Sequence, residues 1–169
     1  MSRLRRLALA DRIFFVTTHF QESALPISNL EKTAILEVLH ATRARRKFQL
    51  FAYVVMPTHV HLLFSPTDKD TLIAIMREFK MRASKAILKT RGASGGFWQA
   101  RSFDRIVRTP KEFAKTLLYI HFNAVKDGLV DEPSKWKWSS WAAYQLDRNE
   151  AAIPVVFANL PTDENSRLW

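Results

Sequence analysis

The stretch Tyr53-Val54-Val55-Met56-Pro57-Thr58-His59-Val60-His61-Leu62-Leu63-Phe64 constrains this chain most. It reads as a strand, a Pro-Thr break and a second apolar strand, so its two arms are expected to pair as a hairpin. Side chains alternate faces along a strand, which puts His59 and His61 on one side and Val60 on the other. Two imidazoles on one face of a rigid strand can share a metal ion or a phosphate. They can equally be polar residues on a solvated surface, and the spacing alone leaves both readings open.

The chain's 169 residues are enough for one domain with a full core, spanning 1–169 with a Trp-rich tail at 133–169. An apolar content of 47% with 12% aromatic residues excludes a disordered chain. No stretch approaches the ~18 apolar residues of a membrane span, and Leu7 to Ala10 is too short for a signal segment, so a cytoplasmic, nucleoid-associated protein is expected. There is no cysteine, which removes disulfides and thiolate metal sites and leaves His, Asp, Glu, Asn or Gln to hold any metal. Lys and Arg number 26 against 16 Asp and Glu, a net charge of +10. Such a bias points to a polyanionic partner, nucleic acid before others.

Ile13 to Thr18 is β-branched and aromatic and reads as a first strand. Ser28 with Glu31 forms a capping box that opens a helix striped by Leu30, Ala34, Ile35, Val38 and Leu39. The hairpin follows, and then a helix from about Asp68 to Thr90 with Leu72, Ile75, Met76, Phe79, Ala83 and Ile87 at helical spacing. Its other face carries Arg77, Lys80, Arg82 and Lys85, read as one-signed and suited to backbone phosphates, as are Arg12 and Arg101. A glycine-rich loop leads to a strand around Phe103 to Arg108. Thr109-Pro110-Lys111-Glu112 then starts a helix that Gly128 is placed to end near Asp127. Trp136, Trp138 and Trp141 suit core packing better than base stacking, whereas for Trp98 packing and stacking on an unpaired base are equally open. The order β-α-β-β-α-β-α implies a ferredoxin-like α+β sandwich, an antiparallel sheet with helices packed on one face.

On the third helix, Phe113, Leu117, Ile120 and Ala124 form the core stripe, and Thr116, Tyr119 and Asn123 share its flank. Packed across the central strands, this helix would bring a phenol and an amide toward the histidine pair. Two neutral imidazoles and an amide oxygen suit a divalent ion, Mg²⁺ or Mn²⁺ best, although the histidines would also accept Zn²⁺. Such an ion polarises a phosphate, and a tyrosine so placed is a nucleophile that would store the phosphodiester as a phosphotyrosine.

These residues resemble a known family, the single-tyrosine HUH transposases of insertion sequences, and within it the REP-associated tyrosine transposases. The resemblance rests on Val55-Met56-Pro57-Thr58-His59-Val60-His61-Leu62, on Trp98-Gln99 with Phe103-Asp104-Arg105, on Tyr119 to Val130, and on Trp138-Ser139-Ser140. It implies that His59, His61 and Asn123 hold the metal and that Tyr119 is the catalytic nucleophile. It also implies cleavage of single-stranded DNA beside a hairpin, leaving a 5′-phosphotyrosine and a free 3′-OH. Thr58 and Ala124 depart from the family's usual Asn and Pro. A homodimer is compatible with this reading. Two rivals stand beside it, a non-catalytic RRM-like nucleic-acid-binding module and a zinc hydrolase. His19, His40 and His121 lack ligand-spaced partners and read as ordinary.

Overall fold

A computed structural model describes residues 12–67 and 69–146. Four strands, β1 (Ile13–Phe20), β2 (Gln49–Val55), β3 (His59–Ser65) and β4 (Trp98–Val107), form one sheet in the order β2-β3-β1-β4. Every neighbouring pair is antiparallel, the expected ferredoxin-like α+β arrangement. The hairpin closes at Pro57-Thr58, where the Met56 amide donates to the His59 carbonyl at 2.8 Å.

Helix α1 (Asn29–Arg46) begins with the expected capping box, Ser28 and Glu31 each satisfying the other's backbone N–H. Ile35 and Leu39 of its stripe are buried, but Leu30, in the first turn, stands 84% exposed. Helix α2 (Leu72–Arg91) starts at Thr71, whose hydroxyl accepts from the Ala74 amide, and stops at Gly92 with φ +61°. That left-handed backbone is one glycine adopts without Cβ strain. Ion pairs lace the two helices together: Arg45 and Arg46 bind Glu78, Arg46 also binds Asp70, and Arg91 binds Glu31.

The sheet has two differently used faces. Cross-strand partners share a face, so Phe14, Val16, Val60, Leu62 and Phe64 form one side, covered by α1 and α2 through contacts such as His40 on Tyr53 and Phe79 on Trp98. Ile13, Phe15, Thr17, His59, His61 and Leu63 form the other. The two crossover helices thus lie on one face as expected. Helix α3 (Pro110–His121) crosses the opposite one, with Phe113 against Phe51 and Tyr119 against Phe15. It does so because its apolar stripe, Phe113, Leu117 and Ile120, needs cover that the first face no longer offers.

Three boundaries differ from expectation. The fourth strand begins at Trp98 rather than Phe103, since Trp98 is buried against Phe20, Phe97 and Phe79. The third helix breaks at Phe122 and resumes as a single turn, α4 (Asn123–Lys126), before Gly128 at φ +70°. Residues 133–141 are not a loose tail. Trp136 and Trp138 are buried, the Val55 amide donates to the Trp138 carbonyl, and the segment lies along the outer edge of β2 ahead of α5 (Trp141–Leu146). The end of the Trp-rich tail, residues 147–169, lies outside the described residues, as do residues 1–11. Among the described residues no helix is long and apolar enough to cross a membrane.

Candidate active site

His59 and His61 face α3 at one end of β3, and pairing with β1 supplies what orients them. Thr17 lies opposite His61 and its hydroxyl meets His61 Nδ1 at 2.8 Å; Thr58 meets His59 Nδ1 at 2.9 Å. When each Nδ1–H donates to its threonine, both Nε2 lone pairs are turned toward one point, with the nitrogens 3.0 Å apart. Both imidazoles are held neutral. Burial, and then the neighbouring His59 ring, pull His61 down to about 3; burial and then His19 lower His59.

Asn123 comes from the first position of α4, four residues beyond Tyr119. Its side chain is buried to 3% exposure and lies close enough to His59 to raise that ring's pKa. Yet its Oδ1 has no hydrogen-bond partner. A buried amide oxygen left unpaired costs roughly 1–3 kcal/mol, so it marks a place where another group belongs. Two lone pairs converging beside an orphaned carbonyl oxygen fit a divalent cation. Among the described residues no group of three His, Cys, Asp or Glu can hold a metal.

Tyr119 completes the cluster. Its hydroxyl is 3.5 Å from His61 Nε2, its ring stands edge-on to Phe15, and Lys126 lies over it at 5.5 Å from the centroid. The residue is 41% exposed, so a polymer can reach the phenol while the histidines stay recessed. The four residues expected to share a site are brought together.

The expected cation surface is not gathered there. Arg77, Lys80, Arg82 and Lys85 lie on α2, behind the sheet from the histidines, and Arg12 stands at the far end of β1. The α2 face is also less one-signed than its sequence suggested, since Glu78 pairs with Arg82 four residues on. Lys80 donates to the Gln99 carbonyl at 2.8 Å. Arg101 is exposed on β4, the strand at the sheet's open edge.

Sequence spacing missed three contributors. His19 pairs with His59 across β1 and β3, their rings 5.2 Å apart. Thr17 orients His61, and Thr58, at the position of the family's usual Asn, orients His59. The alternation that placed His59 and His61 on one face could have found Thr17 and His19, but only once the register of β1 on β3 was known. His40 and His121 are ordinary as read, the second buried and bonded to Ser140.

Comparison with known proteins agrees with this geometry. The chain is 26% identical over 96% of its length to a REP-associated tyrosine transposase of Escherichia coli, covering 94% of that protein. Its fold matches a solved REP-associated tyrosine transposase bound to a REP hairpin with a TM-score of 0.74 at 23% identity, covering 98% of this chain and 96% of the other. Residues 15–123 match the family described as IS200-like transposases, a stretch that holds both histidines, the tyrosine and the asparagine. The chain belongs to this family of tyrosine transposases, enzymes that cut DNA and transfer its strands.

Proposed function

We propose that this chain cuts and rejoins single-stranded DNA beside a hairpin, with Tyr119 as nucleophile and His59, His61 and Asn123 as ligands of one divalent metal ion. The observation that carries the reading is the Tyr119 hydroxyl 3.5 Å from a histidine nitrogen that faces a second histidine nitrogen and an unpaired amide oxygen. The hard amide oxygen would suit Mg²⁺ or Mn²⁺, and the two imidazoles would also accept Zn²⁺. When bound, such an ion polarises a phosphate and offsets its charge.

The chain's own residues do the rest. Thr17 and Thr58 hold the imidazoles in the ligating tautomer. Phe15, stacked on His61 and in edge contact with Tyr119, fixes the two rings relative to each other. Lys126 adds a positive charge beside the phenol. The Tyr119 oxygen bonds to phosphorus as the bond to the 3′ oxygen breaks. The phenolic proton passes to solvent at the exposed ring, and the released oxygen is protonated to a 3′-OH. The 5′-phosphotyrosine keeps the energy of the phosphodiester for the reverse step with a new 3′-OH.

The partner, single-stranded DNA carrying a hairpin, is supported by the similarity to the hairpin-bound transposase. The proposed phosphate contacts are Arg77, Lys85 and Arg101, which make no ion pair among the described residues, with Arg12, Lys80 and Arg82 alongside. They lie behind and beside β4, where DNA passing from the histidines over the open edge meets α2. The bacterial cytoplasm is the proposed place of work.

Incubation with hairpin-bearing single-stranded oligonucleotides and Mn²⁺ tests the reading. A denaturation-resistant protein–DNA adduct is expected with the wild type and not with Tyr119→Phe. DNA binding without an adduct on any hairpin would make the chain a binding module. Phosphodiesterase activity that survives Tyr119→Phe would make it a hydrolase.

A further inference from the structure

Phe103 is a large apolar side chain left 60% exposed in the middle of β4. Isolated exposed apolar residues are common and need no explanation; the position of this one does. Phe103 pairs with Thr17, and Thr17 pairs with His61. One row across three strands therefore reads His61, Thr17, Phe103, with all three side chains on the same face. Strands lie about 4.8 Å apart, so the Phe103 backbone is roughly 10 Å from that of His61.

The next row, Leu63, Phe15 and Arg105, is roofed by α3. Tyr119 packs on Phe15, and Arg105 donates to Thr116 at 2.8 Å while its guanidinium lies over the Phe15 ring. In the row of His61 and Thr17 those two residues are still buried, at 3% and 8% exposure, with the Tyr119 ring against His61. Only the β4 end of that row is open: Phe103 stands exposed there, and β4 carries Arg101 and Arg105 on either side of its ring. Trp98, for which packing and base stacking were equally open, is packed: it is buried and its indole N–H donates to the Lys80 carbonyl.

We propose that Phe103 is a base-stacking platform, on which the unpaired base of the nucleotide next to the scissile phosphate lies while that phosphate sits at the histidine pair. The proposal rests on the single-strand cleavage reading above. A phenyl face accepts any base that is free of its complement, so the contact is tolerant of sequence and selective for strandedness. Bases in a duplex are already stacked and turned inward, and cannot offer a face to the Phe103 ring. Phe103 then admits only unpaired DNA beside the nucleophile, whatever the form of the flanking hairpin.

The test is binding of a fluorescent oligothymidylate and of an abasic oligomer of the same length to wild type, Phe103→Ala and Phe103→Trp, without metal. Wild type is expected to prefer the thymidylate. Phe103→Ala is expected to lose roughly ten- to a hundredfold in affinity for it, leave the abasic oligomer unchanged, and be rescued by Phe103→Trp. Equal binding of the thymidylate by wild type and Phe103→Ala overturns the proposal, as does an equal loss on both oligomers. If wild type forms the Tyr119 adduct and Phe103→Ala binds as wild type does, the stacking proposal alone falls. If wild type binds neither oligomer and forms no adduct, the cleavage reading falls and takes this one with it.

Discussion

At the scale of single residues, the histidine pair depends on two hydroxyls. A metal-binding imidazole whose other nitrogen donates to a fixed acceptor keeps its tautomer and its aim. Thr17→Val preserves the shape of that residue and removes the acceptor for His61 Nδ1. It is expected to lower Mn²⁺ affinity about 10- to 100-fold, read by titration calorimetry. Thr58→Asn is expected to leave that affinity near wild type, because an amide oxygen can take the same bond. His59, His61, Tyr119 and Asn123 were legible in the sequence because alternation along a strand and the turn of a helix are local rules. Thr17 and His19 were not, because their part in the site follows from the pairing of β1 with β3, a contact between distant segments. The one-signed reading of α2 is wrong at Arg82, because Glu78 stands four residues before it and pairs with it.

Among the elements, the helix starts were the most readable parts of the chain, because a cap is a short-range hydrogen-bond pattern. Thr109 accepts from the Glu112 amide at 3.1 Å as its sequence implied. Thr109→Ala is expected to cost about 1 kcal/mol of unfolding free energy, measured by chemical denaturation. The capping box of α1 does more than its sequence revealed, since Glu31 also binds Arg91 at the end of α2. The hydrogen bond from Arg91 is the main reason the Glu31 carboxyl is held down at about 2, below the usual 4.5. A lowered carboxyl pKa stabilises the fold above the unfolded value, and that stabilisation is lost as pH falls from about 4.5 to about 2. Glu31→Gln keeps a capping side chain without the charge. It is therefore expected to melt below wild type at pH 7, with the gap closing toward pH 2 in thermal scans. The break at Phe122 was not legible, since Tyr119 to Lys126 keeps helical spacing throughout and nothing local marks the interruption.

For the whole molecule, the sheet order followed from the element order, but the use of both faces did not, because periodicity assigns a stripe to a helix without saying what it meets. The segment at 133–140 has no periodic pattern that would show where it docks, although the packing of Trp136 and Trp138 is as their sequence implies. Lys32 sits 4.5 Å from the Trp138 ring centroid and 5.4 Å from that of Trp136, clamping α1 to the segment that covers the outer edge of β2. Trp138→Ala is expected to cost about 3–5 kcal/mol, measured as a lower denaturant midpoint. Substituting a proposed phosphate contact should act differently. Arg101→Gln or Lys85→Gln is expected to leave the denaturation midpoint unchanged and to flatten the log–log salt dependence of single-strand binding by about 0.7 each. The partial cover that α3 gives the sheet separates two kinds of substitution. Phe15 lies beneath the helix, against Tyr119, where a change disturbs packing. Phe103 and Arg101 stand exposed outside that cover, so a change at either is expected to leave the folded state as stable as before and to be visible only when a ligand is present.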